Sequence, residues 1–379
     1  MITKIFSPDQ LEPKIAVVVG TRPGIIKLSP IVRALERSGC EFFLIHTGQH
    51  YSPNMDQAFF DDLDLPAPRY GNEAVRHCKL HGEQTAEMIK GVERALVVEQ
   101  PRVVIVGGDA NTNLAGALAA RKLGMLVAHL EAGLRSHDWR MPEEHNRVII
   151  DHICEYLFPP TEEGKQNLVH DNVKGRMWVT GNTIVDAVYQ NRELATRKSS
   201  IRHLLGLAEG MDYFLVTLHR EENVDAPERL ASLIRVLNAV AHRFGRPILF
   251  PLHPRTRERL VAFGLQSALD DVHDLRVVEP VGYLDFLSLL AGAQLVLTDS
   301  GGVQEEACIL HVPCVTLRDN TERPETLRVG SNVLAGTNPD LAVEAASRLL
   351  KSERNWTNPF GDGMAGERIV SILRSEAMI

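Results

Sequence analysis

The chain has 379 residues and a formal net charge of −8, with 44% hydrophobic and 24% charged residues. This length corresponds to about two or three domains, and the composition excludes a disordered, collagen-like or coiled-coil protein. An acidic chain is a poor candidate for a general nucleic-acid binder, so any anion site is expected to be a local basic pocket.

The first half of the chain alternates short apolar runs with amphipathic stretches. Apolar runs that end in Gly, Asp, His or Asn predict buried strands, and apolar residues at helical spacing predict the helices between them. Strands are expected at residues 14–20, 41–49, 102–109, 127–133, 156–161 and 177–182, with helices at residues 25–37, 81–99, 114–122 and 143–155. This alternation indicates a parallel, doubly wound α/β sheet.

The same alternation restarts after a polar stretch at residues 191–200, in which no deep apolar face is expected. Further strands are predicted at residues 213–218, 248–252, 275–278, 295–298 and 314–317. The sequence therefore predicts two Rossmann-like domains, with the change between them near residues 181–200. We expect an N-terminal domain at residues 1–182, a C-terminal domain at residues 183–362, and a terminal helix within residues 363–379 that packs back on the first domain.

Polar side chains follow nearly every predicted strand, and ligands of such sheets bind at the carboxyl ends of the strands. In the second half, Ser300, Gly301 and Gly302 open a helix directly after a strand. Small residues there let an anion such as a pyrophosphate approach free backbone N–H groups, and Glu306 lies where a carboxylate can accept bonds from ribose hydroxyls. The alternative is a plain Ser N-cap followed by acidic first-turn residues.

Two histidines of the second half also follow predicted strands. His253 lies in PLHPR, close to where a phosphate would bind, and the alternative is a surface turn fixed by two prolines. His219 lies in TLHREEN and, taken alone, is more often a structural histidine. Since both halves carry a polar edge, we expect a ligand in a cleft between parallel sheets that face each other.

Three carboxylates of the first half are candidates for acid–base chemistry. Asp109 and Glu131 end neighbouring predicted strands, and Glu143 begins the next helix, where it shares an i, i+4 face with Arg147. The alternatives are a helix N-cap for Asp109 and a solvated first-turn pair for Glu143 and Glu144.

Four basic residues of the first half are candidate partners of these acids or of a ligand. Arg22 and Lys27, in GTRPGIIK, are placed to approach a diphosphate, although turn and dipole chemistry is the alternative. A carboxylate at the end of a buried strand needs a partner, and Arg135 and Arg147 are the candidates for Glu131.

Several other site classes have no signal in the sequence. There is no P-loop lysine, zinc-ligand spacing, nucleophile elbow or complete GxGxxG, so we predict neither a metal nor a cofactor. The five cysteines are scattered without a CxxC pair, which favours a reducing cytoplasm. Residues 1–13 lack the apolar core of a signal peptide, and no apolar run approaches the roughly 18 residues of a membrane span.

The motifs taken together are far more specific than any one of them. They occur in the order GTRPGIIKLSP, IHTGQH, HLEAGLRS, MPEEHNR, GNTIVDA, TLHREEN, HPR, VGYLDF, TDSGGVQEEA and RDNTERPET. In this set and over nearly its whole length, the chain resembles the non-hydrolysing UDP-N-acetylglucosamine 2-epimerases. The forms TLHREENVD and RMPEEHNR resemble the archaeal-type branch.

The resemblance implies a GT-B fold, a homodimer, and interconversion of UDP-GlcNAc and UDP-ManNAc without NAD or a catalytic metal. The positions that match the family's catalytic residues are Asp109, Glu131, Glu143 and His219. The expected substrate-binding positions are Arg22, Lys27, Arg135, Arg147, His253, Phe286 (at the uracil), Ser300, Gly301, Gly302, Glu306 and Arg323. The expected route is loss of UDP to give 2-acetamidoglucal, followed by re-addition of UDP.

Two departures from the family pattern keep alternatives open. Gly24 stands where the family usually has Glu, and Ala110 stands where it usually has Thr. They leave open a modified UDP-aminosugar as the substrate. Another alternative is a hydrolysing enzyme, in which water captures the intermediate or product and ManNAc and UDP are released. Less favoured alternatives are a GT-B glycosyltransferase and a non-catalytic UDP-sugar sensor.

Overall fold

A computed structural model describes residues 14–49, 53–208 and 210–377 of the chain. The expectation about a signal peptide at residues 1–13 and the last two residues of the predicted terminal helix lie outside these ranges. The chain divides into two compact units. The first comprises the described residues up to Ala187 together with those from Phe360 onward, and the second is Val188–Pro359. The predicted limits at residues 182 and 362 remain predictions.

The first unit is built on a seven-stranded sheet in the order β3-β2-β1-β4-β5-β6-β7, in which every neighbouring pair is parallel. The strands are β1 Ile15–Val19, β2 Phe42–His46, β3 Tyr70–Gly71, β4 Val103–Gly107, β5 Leu126–Leu130, β6 Tyr156–Phe158 and β7 Arg176–Met177. The helices are α1 Arg22–Ser38, α2 Pro53–Asp62, the 3₁₀ helix Glu73–His77, α3 His81–Glu99, α4 Asn111–Lys122, α5 Pro142–Ile153 and α6 Glu162–His170. Helix α7, Thr183–Lys198, begins in the first unit and continues into the second.

The second unit is built on a six-stranded parallel sheet in the order β10-β9-β8-β11-β12-β13. Its strands are β8 Phe214–Thr217, β9 Ile248–Pro251, β10 Leu275–Val278, β11 Leu295–Thr298, β12 Cys314–Thr316 and β13 Asn332–Leu334. Its helices are α8 Ile201–Leu204, α9 Glu221–Val224, α10 Pro227–Phe244, α11 Pro254–Ala262, α12 Gln266–Asp270, α13 Tyr283–Gly292, α14 Gly301–Ile309, α15 Pro324–Arg328 and α16 Pro339–Lys351.

Local chemistry explains why the first strand and helix form where they do. Strand β1 is an apolar run buried on both faces, as parallel strands covered by helices are. Helix α1 begins after Thr21, whose hydroxyl accepts a hydrogen bond from the Gly24 N–H, and it ends at Gly39 in the left-handed conformation. The predicted α/β architecture with parallel sheets is therefore confirmed in both units.

Two predicted segments differ from the structure. The polar stretch at residues 191–200 was expected to lack a deep apolar face, but it belongs largely to α7, where Leu194 and Ala195 are buried. The strand predicted at residues 177–182 is reduced to the end of β7, although the N–H groups of Trp178 and Thr180 still donate to the carbonyls of Leu157 and Pro159 beyond it.

The last helix, α17 Ala365–Glu376, packs against α1 in the first unit. Its N-terminus is held by Asp186, whose carboxylate accepts bonds from the N–H groups of Ala365 and Gly366. Gly366 allows close approach, because a Cβ there would lie 3.1 Å from Pro30.

The strand order fixes where a ligand can bind. Each sheet reverses its order beside its first strand, between β1 and β4 in the first unit and between β8 and β11 in the second. Ligands of such sheets bind beyond the carboxyl ends of the strands at this reversal. Catalytic and ligand-binding residues are therefore expected in the loops after these strands.

Candidate functional site

Glu131 follows β5 and is the most buried of the predicted catalytic carboxylates. One oxygen lies 2.8 Å from Nζ of Lys27, and the other accepts a 3.2 Å bond from Nδ2 of Asn182. The prediction that Arg135 or Arg147 pairs with Glu131 is therefore wrong. The Glu131 backbone has φ of 63°, an uncommon left-handed conformation for a residue with a side chain.

Asp109 follows β4 and forms an ion pair with Arg147 of α5. The backbone carbonyl of Asp109 also accepts a 2.8 Å bond from Nδ2 of Asn146, on the same helix. The N-cap of α4 is Ala110, so the alternative that Asp109 is a plain helix cap is wrong. A carboxylate and a guanidinium are thus held together at the sheet reversal.

The two glutamates at the start of α5 have different surroundings. Glu144 is buried and accepts bonds from the N–H groups of Ser136 and His137 and from Arg147 at 2.8 Å. Burial alone would raise the pKa of Glu144, but these bonds lower it below its usual value. Glu143 is exposed. The predicted pairing of Glu143 with Arg147 and the solvated alternative for Glu144 are both wrong, because Glu144 takes the buried position.

The remaining predicted basic residues of this unit lie in different surroundings. Arg22 is exposed in the first turn of α1, with its guanidinium 5.9 Å from the ring centre of Phe59. Arg135 is only 3% exposed and forms ion pairs with Asp151 at 2.7 Å and Asp171 at 2.9 Å. The Arg135 guanidinium is therefore engaged by two carboxylates of the same unit, and its predicted role in substrate binding stays a prediction.

In the second unit, Asp299 organises the loops at the sheet reversal. Its fully buried carboxylate accepts 3.1 Å bonds from the N–H groups of His219 and Arg220 and from Nδ2 of Asn223. Nδ1 of His219 lies 3.3 Å from the same carboxylate. Burial would raise the pKa of Asp299, but the bond from His219 helps to lower it. Asp299 thus fixes both the backbone and the ring of His219.

The rings of His219 and His253 lie side by side, with centroids 5.5 Å apart. His253 caps α11, and its Nδ1 accepts a 3.2 Å bond from the Arg255 N–H. Burial and the neighbouring His219 lower the pKa of His253. A neutral ring that accepts at Nδ1 carries its proton on Nε2, which remains a donor. The side chain of Arg255 pairs with Asp225 and Glu221.

The N-terminus of α14 lies directly after β11. Ser300 is its N-cap but makes no side-chain capping bond, and no acidic residue occupies the first turn. The alternative of a plain Ser cap with acidic first-turn residues is therefore wrong. A Cβ on Gly302 would have no neighbour within 4 Å, so space is open above the backbone here. Helix N-termini with accessible N–H groups favour anions.

One helical turn further, Glu306 is buried with a carboxyl whose pKa is raised to about 8. Burial is the main cause, the hydrogen bond from Tyr283 opposes it, and the charge of Glu305 adds to it. Glu305 forms an ion pair at 2.7 Å with Arg323. Phe286 of α13 is half-buried, with part of its ring packed on the core.

Several residues that lie near the carboxyl ends of the strands in the two sheets were not identified from the sequence. Asn182 and Asp299 bond directly to predicted catalytic residues. Nη2 of Arg220 lies 3.8 Å from where a Cβ of Gly301 would stand, and its Nε is buried with no hydrogen-bond partner among the described residues. The signal was present, since Arg220 and Asp299 stand directly after their strands.

Two kinds of feature are absent from the part of the chain that the structure describes. None of its helices has the length and apolar character to cross a membrane. It also contains no group of three or more His, Cys, Asp or Glu residues that could hold a metal ion.

Residues 33–374 match the family described as UDP-N-acetylglucosamine 2-epimerase. The chain belongs to this family. A UDP-N-acetylglucosamine 2-epimerase of Methanocaldococcus jannaschii is 52% identical over 362 residues, which are 95% of this chain and 98% of that protein. A UDP-2,3-diacetamido-2,3-dideoxy-D-glucuronate 2-epimerase of Pseudomonas aeruginosa is 40% identical over 365 residues, 95% of this chain and 99% of that protein.

A solved structure of the Methanocaldococcus jannaschii UDP-GlcNAc 2-epimerase in complex with UDP-GlcNAc and UDP aligns with a TM-score of 0.84. The sequences are 52% identical, and the alignment covers 96% of this chain and 99% of that one. This likeness confirms the predicted GT-B fold and the archaeal-type branch of the epimerase family.

The two departures from the epimerase pattern have clear structural settings. Gly24 donates its N–H to the Thr21 hydroxyl, and a Cβ there would lie 3.0 Å from that oxygen. Ala110 leaves α4 without a side-chain cap, but Oε1 of Gln49 accepts the Thr112 N–H at 2.9 Å. The starts of α1 and α4 are therefore intact despite these two departures.

Proposed function

We propose that this epimerase interconverts UDP-GlcNAc and UDP-ManNAc by eliminating UDP and adding it back. The observation that carries the proposal is the pair of carboxylates at one sheet edge, each bonded to its own cation: Glu131 to Lys27 and Asp109 to Arg147. The 52% identity to a protein named UDP-N-acetylglucosamine 2-epimerase, over nearly all of both chains, supports the choice of substrate.

The chemistry explains why acids, bases and anion-binding groups are all needed. The proton on C2 of the sugar has no adjacent carbonyl, so its direct removal is very unfavourable. When the bond from C1 to the diphosphate oxygen breaks, UDP leaves with the electron pair and positive charge develops at C1. A base then takes the C2 proton to give 2-acetamidoglucal, and re-addition with protonation of the opposite face gives the epimer.

The first unit supplies the acid–base groups in this proposal. Glu131 contacts the Lys27 ammonium and Nδ2 of Asn182, and Asp109 pairs with the Arg147 guanidinium. In this proposal these two carboxylates take and return the C2 proton. Glu143 is exposed and therefore accessible to a ligand.

The second unit binds UDP in this proposal. The open N-terminus of α14 at Ser300, Gly301 and Gly302 receives the diphosphate, with the unpaired Nε of Arg220 and the Nε2 proton of His253 as further donors. In the same proposal, Glu306 binds the ribose and Phe286 contacts the uracil. His219, whose ring is fixed by Asp299, stabilises the departing diphosphate.

Arg22 and Arg323 complete the proposed substrate contacts. We further propose that the protein acts as a homodimer in the cytoplasm. The elimination route is redox-neutral, so it requires no nicotinamide. A second candidate substrate is a UDP-diacetamido uronic acid, which is favoured by Gly24 and Ala110 and by the 40% identity to an epimerase named for that sugar.

The proposal is tested by incubating the protein with UDP-GlcNAc in D2O and following the proton NMR spectrum. We expect UDP-ManNAc to appear and deuterium to enter C2 of both sugars. Free ManNAc with UDP would instead assign a hydrolysing enzyme. No exchange with UDP-GlcNAc, but exchange with the diacetamido uronic acid, would select the second candidate. Exchange with neither sugar would contradict both.

A further inference from the structure

A network of four polar side chains, three of them buried, lies beside the acid–base loops of the first unit. Nδ1 of His129 is 2.7 Å from Asp151, which also pairs with Arg135 at 2.7 Å. Arg135 pairs in turn with Asp171 at 2.9 Å. The side chains of His129, Asp151 and Arg135 are at most 3% exposed, whereas that of Asp171 is 28% exposed.

Both ring nitrogens of His129 face oxygen atoms that can accept hydrogen bonds. Its Nδ1 faces the Asp151 carboxylate, and its Nε2 lies 3.1 Å from the carbonyl oxygen of Gly108. The same Asp151 carboxylate pairs with the Arg135 guanidinium, which also pairs with Asp171. A buried carboxylate is tolerated where such partners bond it.

Two members of this network, His129 and Asp151, each bond to the backbone near a proposed catalytic carboxylate. The Gly108 carbonyl that His129 binds belongs to the residue directly before Asp109. The other oxygen of Asp151 accepts a 3.1 Å bond from the N–H of Gly133, two residues after Glu131. The buried pair of His129 and Asp151 therefore holds the loops after both β4 and β5 by hydrogen bonds.

The loop after β5 has a backbone conformation that needs such support, because Glu131 carries a side chain and has φ of 63°. Gly108, in the loop after β4, has φ of 91°, which glycine adopts readily. A Cβ on Gly108 would lie 3.1 Å from Oε2 of Glu131, so the two loops touch at the carboxylate itself. Residues held in sparsely populated conformations persist only where the surrounding structure fixes them.

We propose that His129 and Asp151 are positioning residues for the epimerisation, which together set the places of the Asp109 and Glu131 carboxylates. This inference rests on the proposed function, since it concerns the same acid–base groups. Neither side chain touches substrate. A misplacement of about 1 Å at a reacting group costs about 100-fold in rate. Loss of the hydrogen bond to Gly108 or of that to Gly133 should therefore lower kcat and leave nucleotide affinity nearly unchanged.

The test uses substitutions that remove one bond at a time. His129→Gln keeps a donor near the Nε2 position for Gly108, and His129→Asn keeps one near the Nδ1 position for Asp151. Asp151→Asn removes the carboxylate charge that pairs with Arg135 and weakens the contact with His129. Asp171→Asn is the matched control, because it weakens the same network at Arg135 and leaves the bonds to the Gly108 carbonyl and the Gly133 N–H in place.

The measurements are kcat and KM for UDP-GlcNAc per folded enzyme, UDP affinity, melting temperature, and the kcat ratio for protiated and C2-deuterated substrate. We expect His129→Asn, His129→Gln and Asp151→Asn to lower kcat by about 10- to 100-fold. KM and UDP affinity should stay within about threefold, and the isotope ratio should rise because C2 proton transfer becomes slower. Asp171→Asn should keep kcat within about twofold.

Folded His129→Gln and His129→Asn variants with wild-type kcat would overturn the proposal, and so would an equal loss of kcat in Asp171→Asn. The two histidine variants keep the test decisive if Asp151→Asn fails to fold. A wild-type protein that does not turn over UDP-GlcNAc or the diacetamido sugar would overturn the proposed function itself, which is a distinguishable result.

Discussion

The ammonium of Lys27 lies 2.8 Å from a carboxylate oxygen of Glu131, although 104 residues separate them in the chain. The contact joins the first turns of α1 to the loop after β5. A cation at this distance stabilises the ionised carboxylate, which is the form that a base requires. The same lysine was expected to approach a diphosphate, and that role stays a prediction.

This contact predicts the behaviour of Glu131→Gln. The amide cannot take a proton, so kcat should fall by about 10²- to 10⁴-fold, the usual contribution of a general base. UDP affinity should stay within about threefold, since the proposed UDP contacts are on the other unit. Turnover is measured by NMR and UDP affinity by calorimetry. Wild-type turnover in the variant would remove Glu131 from the acid–base chemistry.

The neighbouring glutamates of α5 should respond in opposite ways. Glu144→Gln breaks the buried bonds to Ser136, His137 and Arg147, so we expect a loss of roughly 1–3 kcal/mol in unfolding free energy. Glu143→Gln is at an exposed position and should change stability by no more than about 0.5 kcal/mol.

The kinetic comparison of the same two variants tests the proposed role of Glu143. Its substitution should lower kcat by about 100-fold if it transfers a proton. Urea unfolding and steady-state kinetics on both variants give the four values. A Glu143→Gln variant with unchanged kcat would assign it to the solvated helix start.

Gly302→Ala should raise stability while lowering affinity for UDP. The added Cβ meets no atom within 4 Å, and replacing a helical glycine stabilises by about 0.4–1 kcal/mol through the unfolded chain. The same methyl would stand where the diphosphate approaches, so we expect at least about a tenfold loss in affinity, or 1.4 kcal/mol.

Gly82→Ala is the matched control for Gly302→Ala. Gly82 is also the second residue of a helix, and a Cβ there likewise has no neighbour within 4 Å. It should give a similar gain in stability with unchanged UDP binding. Equal UDP affinities for the two variants would contradict a diphosphate site at α14.

Glu306 should make stability depend on pH. Its pKa is raised from 4.5 to about 8 by burial, so between these values the native protein holds a proton that the unfolded chain has released. The contribution of Glu306 to stability is therefore present below pH of about 4.5 and is lost as the pH rises through about 8. The slope for one proton is at most about 1.4 kcal/mol per pH unit.

The Glu306→Gln variant provides the comparison, because its amide resembles the protonated carboxyl but does not titrate. Relative to this variant, the wild-type protein should lose stability from pH 5.5 to pH 8. Urea unfolding midpoints of both proteins across that range measure the difference. Parallel pH profiles would show that the Glu306 carboxyl does not titrate there.

The sequence by itself determined the α/β architecture and most of the polar edge. Strands and helices follow from apolar periodicity, which is a local property, although the first helix begins at Arg22 and not at the expected residue 25. Because parallel strands place their carboxyl ends at one edge, the residues after each strand were also predictable. Asp109, Glu131, His219 and Ser300 all follow their strands as expected.

Only the tertiary structure decided which of these side chains meet. Lys27 rather than Arg135 pairs with Glu131, and Arg135 is used by Asp151. Glu144 rather than Glu143 turns inward, although the two have the same charge and adjacent positions. Which side chains pair depends on how helices and strands that are distant in the chain pack against one another. Local periodicity carries no information about that packing.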